Sequence, residues 1–327
     1  MSASDESGLS RLDVGMVTWN TKELSLTALR RIIDVTKGLD VRILVRDNGS
    51  SDGTAEGIAA ELPEVDLDAG RENLGFGMGV NTLFARSDAP WFLLINSDAW
   101  PEPDAIERML DTARVSPRAA VVAPKLVGVD DAVEESTLRF PSLRLVLVQL
   151  SGLYRWKRVG DRFLVPSAWR FDRRREVDWA VGAAWLVRRD ALQDVGGFDE
   201  RYVMYVEDLD WCWRAAARGW RVVFEPQAVV RHVGNASGAQ RYGSERTAIW
   251  LHNTYFFYRE AHGRASALAF RFLNVALAAR LWLVARLRRD HSAAQRWSAH
   301  LRGSARRSAP PGAMRPGPLQ DEGALSN

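Results

Sequence analysis

Three short apolar runs, DVGMVTW (13–19), VRILV (41–45) and WFLLI (91–95), are each followed by polar residues and separated by longer stretches of helical character. Runs this short, rich in branched and aromatic side chains, suit buried strands. The segments between them, roughly 22–35, 53–62 and 77–86, read as helices. Parallel neighbours need a crossover, and a crossover helix covers the sheet, so such alternation predicts an α/β fold with a mostly parallel central sheet. Ligands of such sheets bind beyond the carboxyl ends of the strands. Each of these three strand ends carries a polar cluster: Thr18 with Asn20, then Asp47-Asn48-Gly49-Ser50, then Asn96-Ser97-Asp98.

At 327 residues and 46% hydrophobic content the chain can bury a large core. Its one cysteine, Cys212, excludes an internal disulfide and lies between two tryptophans in a predicted helix, where core packing is expected. The first residues, MSASDESGLSRLD, lack the apolar segment of a secretory signal, and residues 1–10 are expected to be flexible. From Arg259 onward there are 12 arginines against 4 acids, while the rest of the chain is mildly acidic. That asymmetry points to an anionic partner for the C-terminal part.

The second half reads less evenly. Residues 130–176 show no clean period and are taken as a variable insertion, partly loop. VDWAVGAAWLVRRDAL (177–192) reads as strand then helix, a helix runs from Glu207 to about Gly219, and 220–232 reads as a strand pair broken at Pro226. Helices are expected over 245–262 and 266–289. The second carries FLNVALAA between Arg271 and Arg280, a run too short to span a bilayer but suited to a helix lying in a membrane interface. Docking of the same helix on the domain is the competing reading. Trp and Leu interrupt its arginines, which disfavours nucleic acid as the partner. The expected organisation is a domain over 11–240, a helical extension over 241–303 and a disordered Pro/Gly/Ala/Ser-rich tail over 304–327.

Several clusters could carry chemistry. DNGSSDGT, from Asp47, offers many N–H groups and acceptors suited to a base or ribose, although Asn-Gly and Asp-Gly also make plain turns. Asn73-Leu74-Gly75-Phe76-Gly77-Met78-Gly79 places three glycines at a helix start, where backbone can approach an anion, but its spacing is neither a P-loop nor the dinucleotide fingerprint. Asp98, with Asn96 two residues before it, could hold a divalent ion or cap the next helix. Within MYVEDLDWCWRAAARGW (204–220), Glu207, Asp208 and Asp210 sit among aromatics, where a buried charge is costly unless paired or used. One could act as a general base; all three could instead favour the helix dipole. Arg214, one turn after Asp210, is expected to pair with it. Trp179 and Trp185 could stack on a sugar, against the commoner role of tryptophan in a core.

Together, VTWN, RDNGSSDGT, ENLGFGMGVN, LLINSDAW and VGAAWLVRRDALQDVGGFDERYVMYVEDLDWCWRAAARGWRVVFEP, followed by His232, resemble family 2 inverting nucleotide-sugar glycosyltransferases, in the rhamnosyltransferase-like branch. The resemblance implies a GT-A fold and a divalent metal, Mg²⁺ or Mn²⁺. It implies that Asp47 contacts the nucleotide base with Thr18 and Asn20 beside it, that Asn96 lies near the ribose, and that Asn73 and Gly75 serve the donor. Asp98 becomes a metal ligand, with His232 a second one or simply a packed or surface histidine. Asp208 becomes the base, Asp210 a structural or positioning acid, and Glu207 an acceptor contact. Asn96-Ser97-Asp98 departs from the Asp-X-Asp of many relatives, and Arg46 replaces an apolar residue before Asp47.

The activity so implied is transfer of rhamnose or another deoxyhexose from a dTDP donor to a cell-envelope glycan or polyprenyl-linked acceptor. The enzyme would be cytoplasmic and peripheral at the inner face of the membrane. Two rivals stand beside it. A nucleotidyltransferase would carry a Gly-rich basic loop after the first strand, where this chain has TWNTKEL. An inactive nucleotide-sugar or membrane-binding module would have no use for Asp98, Asp208 and His232 together.

Overall fold

The computed structural model describes residues 11–163, 169, 171–234 and 245–306. The expected flexible N-terminus, and the tail from 307, lie outside the described residues. The first half alternates as expected except for one strand not predicted from the sequence, β3: β1 (Leu12–Thr18), α1 (Lys22–Val35), β2 (Val41–Asp47), α2 (Thr54–Glu61), β3 (Asp66–Ala69), α3 (Phe76–Arg86) and β4 (Trp91–Ile95). Then come β5 (Ala99–Pro101), α4 (Ala105–Val115) and β6 (Ala119–Val127). The insertion holds β7 (Thr137–Leu138), α5 (Leu143–Ser151), a 3-10 turn (Leu153–Arg155), α6 (Lys157–Arg162) and β8 (Arg175–Val177). The chain returns through β9 (Trp179–Ala180), β10 (Ala184–Arg188), α7 (Arg189–Val195), α8 (Glu207–Ala217) and β11 (Arg221–His232), and ends in α9 (Arg246–Leu287) and α10 (His291–Ala305).

Nine strands form one sheet in the order β3-β2-β1-β4-β10-β6-β11-β5, with β8 added on β11. The ladders β1/β2, β1/β4, β2/β3 and β6/β11 are parallel, and β10 runs antiparallel between β4 and β6. Six strands therefore point the same way, and their carboxyl ends gather on one edge. Thr18, Asp47, Asn96 and His232 all lie there. β1 and β4 are buried along their whole length, as strands covered on both faces must be.

Two cores flank the sheet. On one face Leu29 and Ile32 of α1, Ile58 of α2 and Met109 of α4 pack on β1 and β4. On the other, Leu83 of α3, Ala191 of α7, Leu209 and Trp211 of α8 and Phe257 of α9 form a second cluster. The first four residues of that second list come from the sheet-covering helices; Phe257 shows that the extension shares the same core. Cys212 is buried in it, as expected, and burial pushes its thiol up.

Three expectations are corrected. Residues 221–232 make one strand: its register against β6 shifts between Glu225 and Val229, so Pro226, which lacks an N–H, is absorbed by an irregularity and does not end the strand. Ser304, expected to open the disordered tail, is buried in α10, its Oγ 3.0 Å from Tyr255 Oη. Finally, α9 breaks at Gly263 (φ 80°, ψ 166°) into the two helices read from the sequence, but by length and composition it is long and apolar enough to cross a membrane. The arginines that interrupt its apolar run are turned onto protein carbonyls: Arg271 Nε donates to Ser304 O (2.8 Å) and Arg280 Nη1 to Leu150 O (2.6 Å).

Candidate active site

A cavity of about 240 Å³ opens at the carboxyl edge of the sheet. Its walls bring together Asn96 and Asp98 after β4, Trp179 of β9, Gly182 between β9 and β10, Glu207 and Asp208 at the start of α8, and His232 at the end of β11. Six of the residues expected at the site thus meet in one place.

Asp208 is held by backbone. Gly182 N donates to its Oδ2 (3.0 Å) and Leu209 N to its Oδ1 (2.8 Å). A Cβ at Gly182 would stand in van der Waals contact with Asp208, 3.5 Å from its Cβ and 3.8 Å from Oδ2. Burial lifts the Asp208 pKa to about 6, against the lowering effect of these N–H groups. Glu207 is buried beside it, pushed well above the usual carboxylate range by burial and by the Asp208 charge; its Oε2 has no hydrogen-bond partner. Asp210 does not line the cavity. It accepts from Arg214 Nε at 2.8 Å, and Arg214 also donates to Val195 O and Gly197 O, so this acid anchors α8 to the loop before it. All three acids lie in the first helical turn, where the dipole favours them, yet no side chain caps the helix: its N-cap is Val206.

Asp98 and His232 meet through strand pairing. β11 pairs with β5 so that His232 stands opposite Ala99, and Val233 N donates to Asp98 O (2.9 Å). His232 Nε2 lies 3.4 Å from Asp98 Oδ1, while its Nδ1 lies 2.8 Å from Glu134 Oε2. Burial opposes charge on the imidazole, but the two carboxylates outweigh it and raise its pKa to about 9. The alternative role for Asp98 as a helix cap is excluded, because α4 begins at Ala105 with Asp104 before it. His232 is buried, not a surface histidine.

The expected donor residues fall into two groups. Asn96 lines the cavity; Thr18, Asn20, Asp47, Asn73 and Gly75 do not. Asp47 is buried and organises its own loop: its Oδ1 accepts from Thr18 Oγ1 (2.9 Å) and its Oδ2 from Ser50 N (2.9 Å). Asn20 N donates to Ser50 Oγ, which couples the loops after β1 and β2. The glycine run is read differently in the structure. Gly75 has φ 80°, and a Cβ there would stand 2.6 Å from Val203 O, so the close approach is made by the chain's own backbone. Asn73 Oδ1 accepts from Gly75 N and shapes that turn.

Of the two tryptophans, Trp179 lines the cavity, its Nε1 donating to Arg139 O (3.1 Å). Trp185 is corrected: it is 1% exposed, packed on Phe198 and Trp211, and belongs to the core. Sequence reasoning missed Glu134, Gly182, Tyr205 and Trp250. Trp250 comes from α9, is 39% exposed, and lines the cavity. No local signal marks it, since it depends on the extension folding back over α8.

A protein-family model described as glycosyl transferase family 2 matches residues 13–196. The chain belongs to glycosyl transferase family 2. It is 35% identical over 239 residues to the N-acetylglucosaminyl-diphospho-decaprenol L-rhamnosyltransferase of Mycobacterium tuberculosis, covering 68% of this chain and 76% of that one. A shorter stretch of 50 residues, 15% of this chain and 19% of its relative, is 44% identical to the rhamnosyltransferase WbbL of Escherichia coli. Among solved structures, the mannosyltransferase PcManGT from Pyrobaculum calidifontis, in complex with GDP-Man and Mn²⁺, superposes with a TM-score of 0.57 at 19% identity over 93% of this chain and 88% of its own. These likenesses make the chain a rhamnosyltransferase-like glycosyltransferase of GT-A fold, and the nucleotidyltransferase reading falls away.

Proposed function

We propose that this glycosyltransferase moves a deoxyhexose, rhamnose first among them, from a dTDP-linked donor to a polyprenyl-diphosphate glycan of the cell envelope, with inversion at the anomeric carbon. The observation that carries the reading is Asp208: a buried carboxylate fixed by two backbone N–H groups, raised to about 6, in the same cavity as Asn96, Asp98 and His232. Asp208 takes the proton of an acceptor hydroxyl as that oxygen bonds to the anomeric carbon, and the bond from that carbon to the diphosphate oxygen breaks. One displacement inverts the centre. Glu207 faces the same cavity and contacts the acceptor; Asn96 holds the ribose, and the Asp47 loop receives the base.

The residues present fit a divalent ion. His232 Nε2 is buried without a hydrogen-bond partner and faces Asp98, and Glu134 on Nδ1 orients the ring as the outer partner of a metal-bound histidine does. No group of three or more His, Cys, Asp or Glu suited to a metal occurs among the described residues. Two protein ligands suit Mg²⁺ or Mn²⁺ that also takes donor diphosphate oxygens. When bound, such an ion offsets the charge that builds on the departing diphosphate.

The Mycobacterium tuberculosis relative, whose name specifies a lipid-linked acceptor, supports the acceptor class, and the outer face of α9 supports a place at the inner surface of the membrane. Incubation with a panel of nucleotide sugars, Mg²⁺ or Mn²⁺ and a polyprenyl-diphosphate acceptor tests the proposal by nucleoside diphosphate release. The expected result is dTDP release from dTDP-rhamnose that needs the acceptor and stops with EDTA. No release and no thermal shift with any donor would sink the enzyme reading and leave only an inactive membrane-binding module.

A further inference from the structure

We propose that residues 153–158, in the insertion, form a lipid-inserting elbow that works with the outer face of α9 to seat the enzyme on an anionic bilayer. The inference rests on the membrane reading above and extends it to a second, distant segment of the chain. Trp156 is 68% exposed, with Leu153 exposed one turn before it, which is a costly way to leave an indole in water. Arg155, Lys157 and Arg158 flank it, all exposed, and none is in an ion pair among the described residues. The nearest acid in sequence, Asp161, is already paired with Arg173 and Arg175.

The elbow adjoins α9. Arg280 donates to the last carbonyls of α5, Gln149 O and Leu150 O, and its Nη2 lies 3.6 Å from the position of a Cβ on Gly152, where the elbow begins. On α9 itself, Leu268, Phe272, Leu283 and Leu287 are exposed, and their separations bring all four to one helical face. Arg286, Arg288 and Arg289 stand exposed at the end of that face, again outside any ion pair among the described residues. Apolar side chains bordered by unpaired cations match an acyl boundary beneath anionic headgroups, which neither water nor an acidic protein surface would do as well. Two anchors on separate elements also fix orientation, which a single helix free to roll would not.

The full-length protein is floated with phosphatidylcholine vesicles and with phosphatidylcholine/phosphatidylglycerol vesicles. Wild type is expected to float with the anionic vesicles and to lose binding at high salt. Trp156→Ser should reduce flotation, and Arg155→Ser/Lys157→Ser/Arg158→Ser should weaken partition on the order of a hundredfold. The thermal shift with dTDP-rhamnose should stay unchanged in both, showing an intact fold. Wild-type flotation reduced only by Leu283→Ser/Leu287→Ser would overturn the elbow and keep the membrane reading; no wild-type flotation would overturn both. Unchanged flotation with a dimer turned to monomer by Trp156→Ser would assign the surface to a second copy and sink the proposal.

Discussion

Asn253, fully buried in α9, donates its Nδ2 to Tyr205 O at 3.1 Å and to Met204 O at 3.0 Å. The loop it grips is strained. Tyr205 and Val206 both take left-handed φ values, 68° and 78°, immediately before the helix that presents Asp208. For a β-branched residue such as Val206 this conformation persists only where its surroundings enforce it. Arg246 adds a second hold from α9, its Nε 3.2 Å from Tyr205 Oη. The C-terminal extension therefore holds the turn that presents Asp208.

Asn253→Asp keeps the shape but removes the donor, and the carboxylate would face two carbonyl oxygens. The loop should relax toward ordinary φ values and displace Asp208. A misplacement of this kind costs about 10–100-fold in kcat, with donor affinity less affected because the Asp47 loop lies outside the Asp208 cavity. Steady-state kinetics beside a dTDP-rhamnose titration reads the split. Equal kcat in variant and wild type would remove Asn253 from any positioning role.

The pH profile follows from Asp208. Burial raises it to about 6, and only its ionised form accepts a proton, so kcat/KM should fall as pH drops through that value. Asp208→Asn should lose about 10²–10⁴-fold in turnover, still bind donor, and show no limb near pH 6. The stability linkage has the opposite sense. A carboxyl whose folded pKa is raised favours the native state most when protonated, so its contribution is lost as pH rises from the ordinary carboxylate range through about 6. The Tm advantage of Asp208→Asn over wild type should therefore be larger at pH 8 than at pH 5.

Gly75→Ala tests the reassigned glycine run. Its Cβ would meet Val203 O at 2.6 Å, on a backbone with φ 80°, so strain and clash act together and push on the loop that Asn253 holds. A loss of about 1–3 kcal/mol in stability is expected, read by denaturant unfolding. Gly53 also has positive φ, but the nearest atom to its Cβ is the flexible Lys22 side chain at 3.7 Å, so Gly53→Ala should cost less. Equal losses would mean that backbone conformation alone matters at Gly75.

How far the site was legible depended on range. The helices and all strands up to Ile95 but β3, a short edge strand of sequence DLDA, follow from local periodicity, and the clusters at their ends follow from the rule that parallel sheets bind at carboxyl edges. Asp210 with Arg214 was legible because one helical turn brings them together. Asp98 and His232 could be paired only through resemblance, since β5/β11 register is a long-range fact, and Glu134, from the insertion, carried no signal at all. Trp185 misled because β10 is a central strand buried on both faces, where alternation says nothing about which residue reaches the cleft.

The two tryptophans now separate into roles that substitution can tell apart. Trp250, part-exposed, lines the same cavity as Asp208 and Trp179, where an indole face would offer a platform for a sugar ring, and its ring packs edge-on against His300 of α10. Trp250→Ala should raise KM for the acceptor about 5–10-fold, the scale of one aromatic contact of roughly 1 kcal/mol, and leave Tm close to wild type. Trp185→Ala should do the reverse, costing about 3–5 kcal/mol of stability while the surviving folded enzyme keeps its KM. Paired acceptor titrations and thermal melts decide it. An unchanged acceptor KM in Trp250→Ala would shift the platform to Trp179, the other indole on that wall.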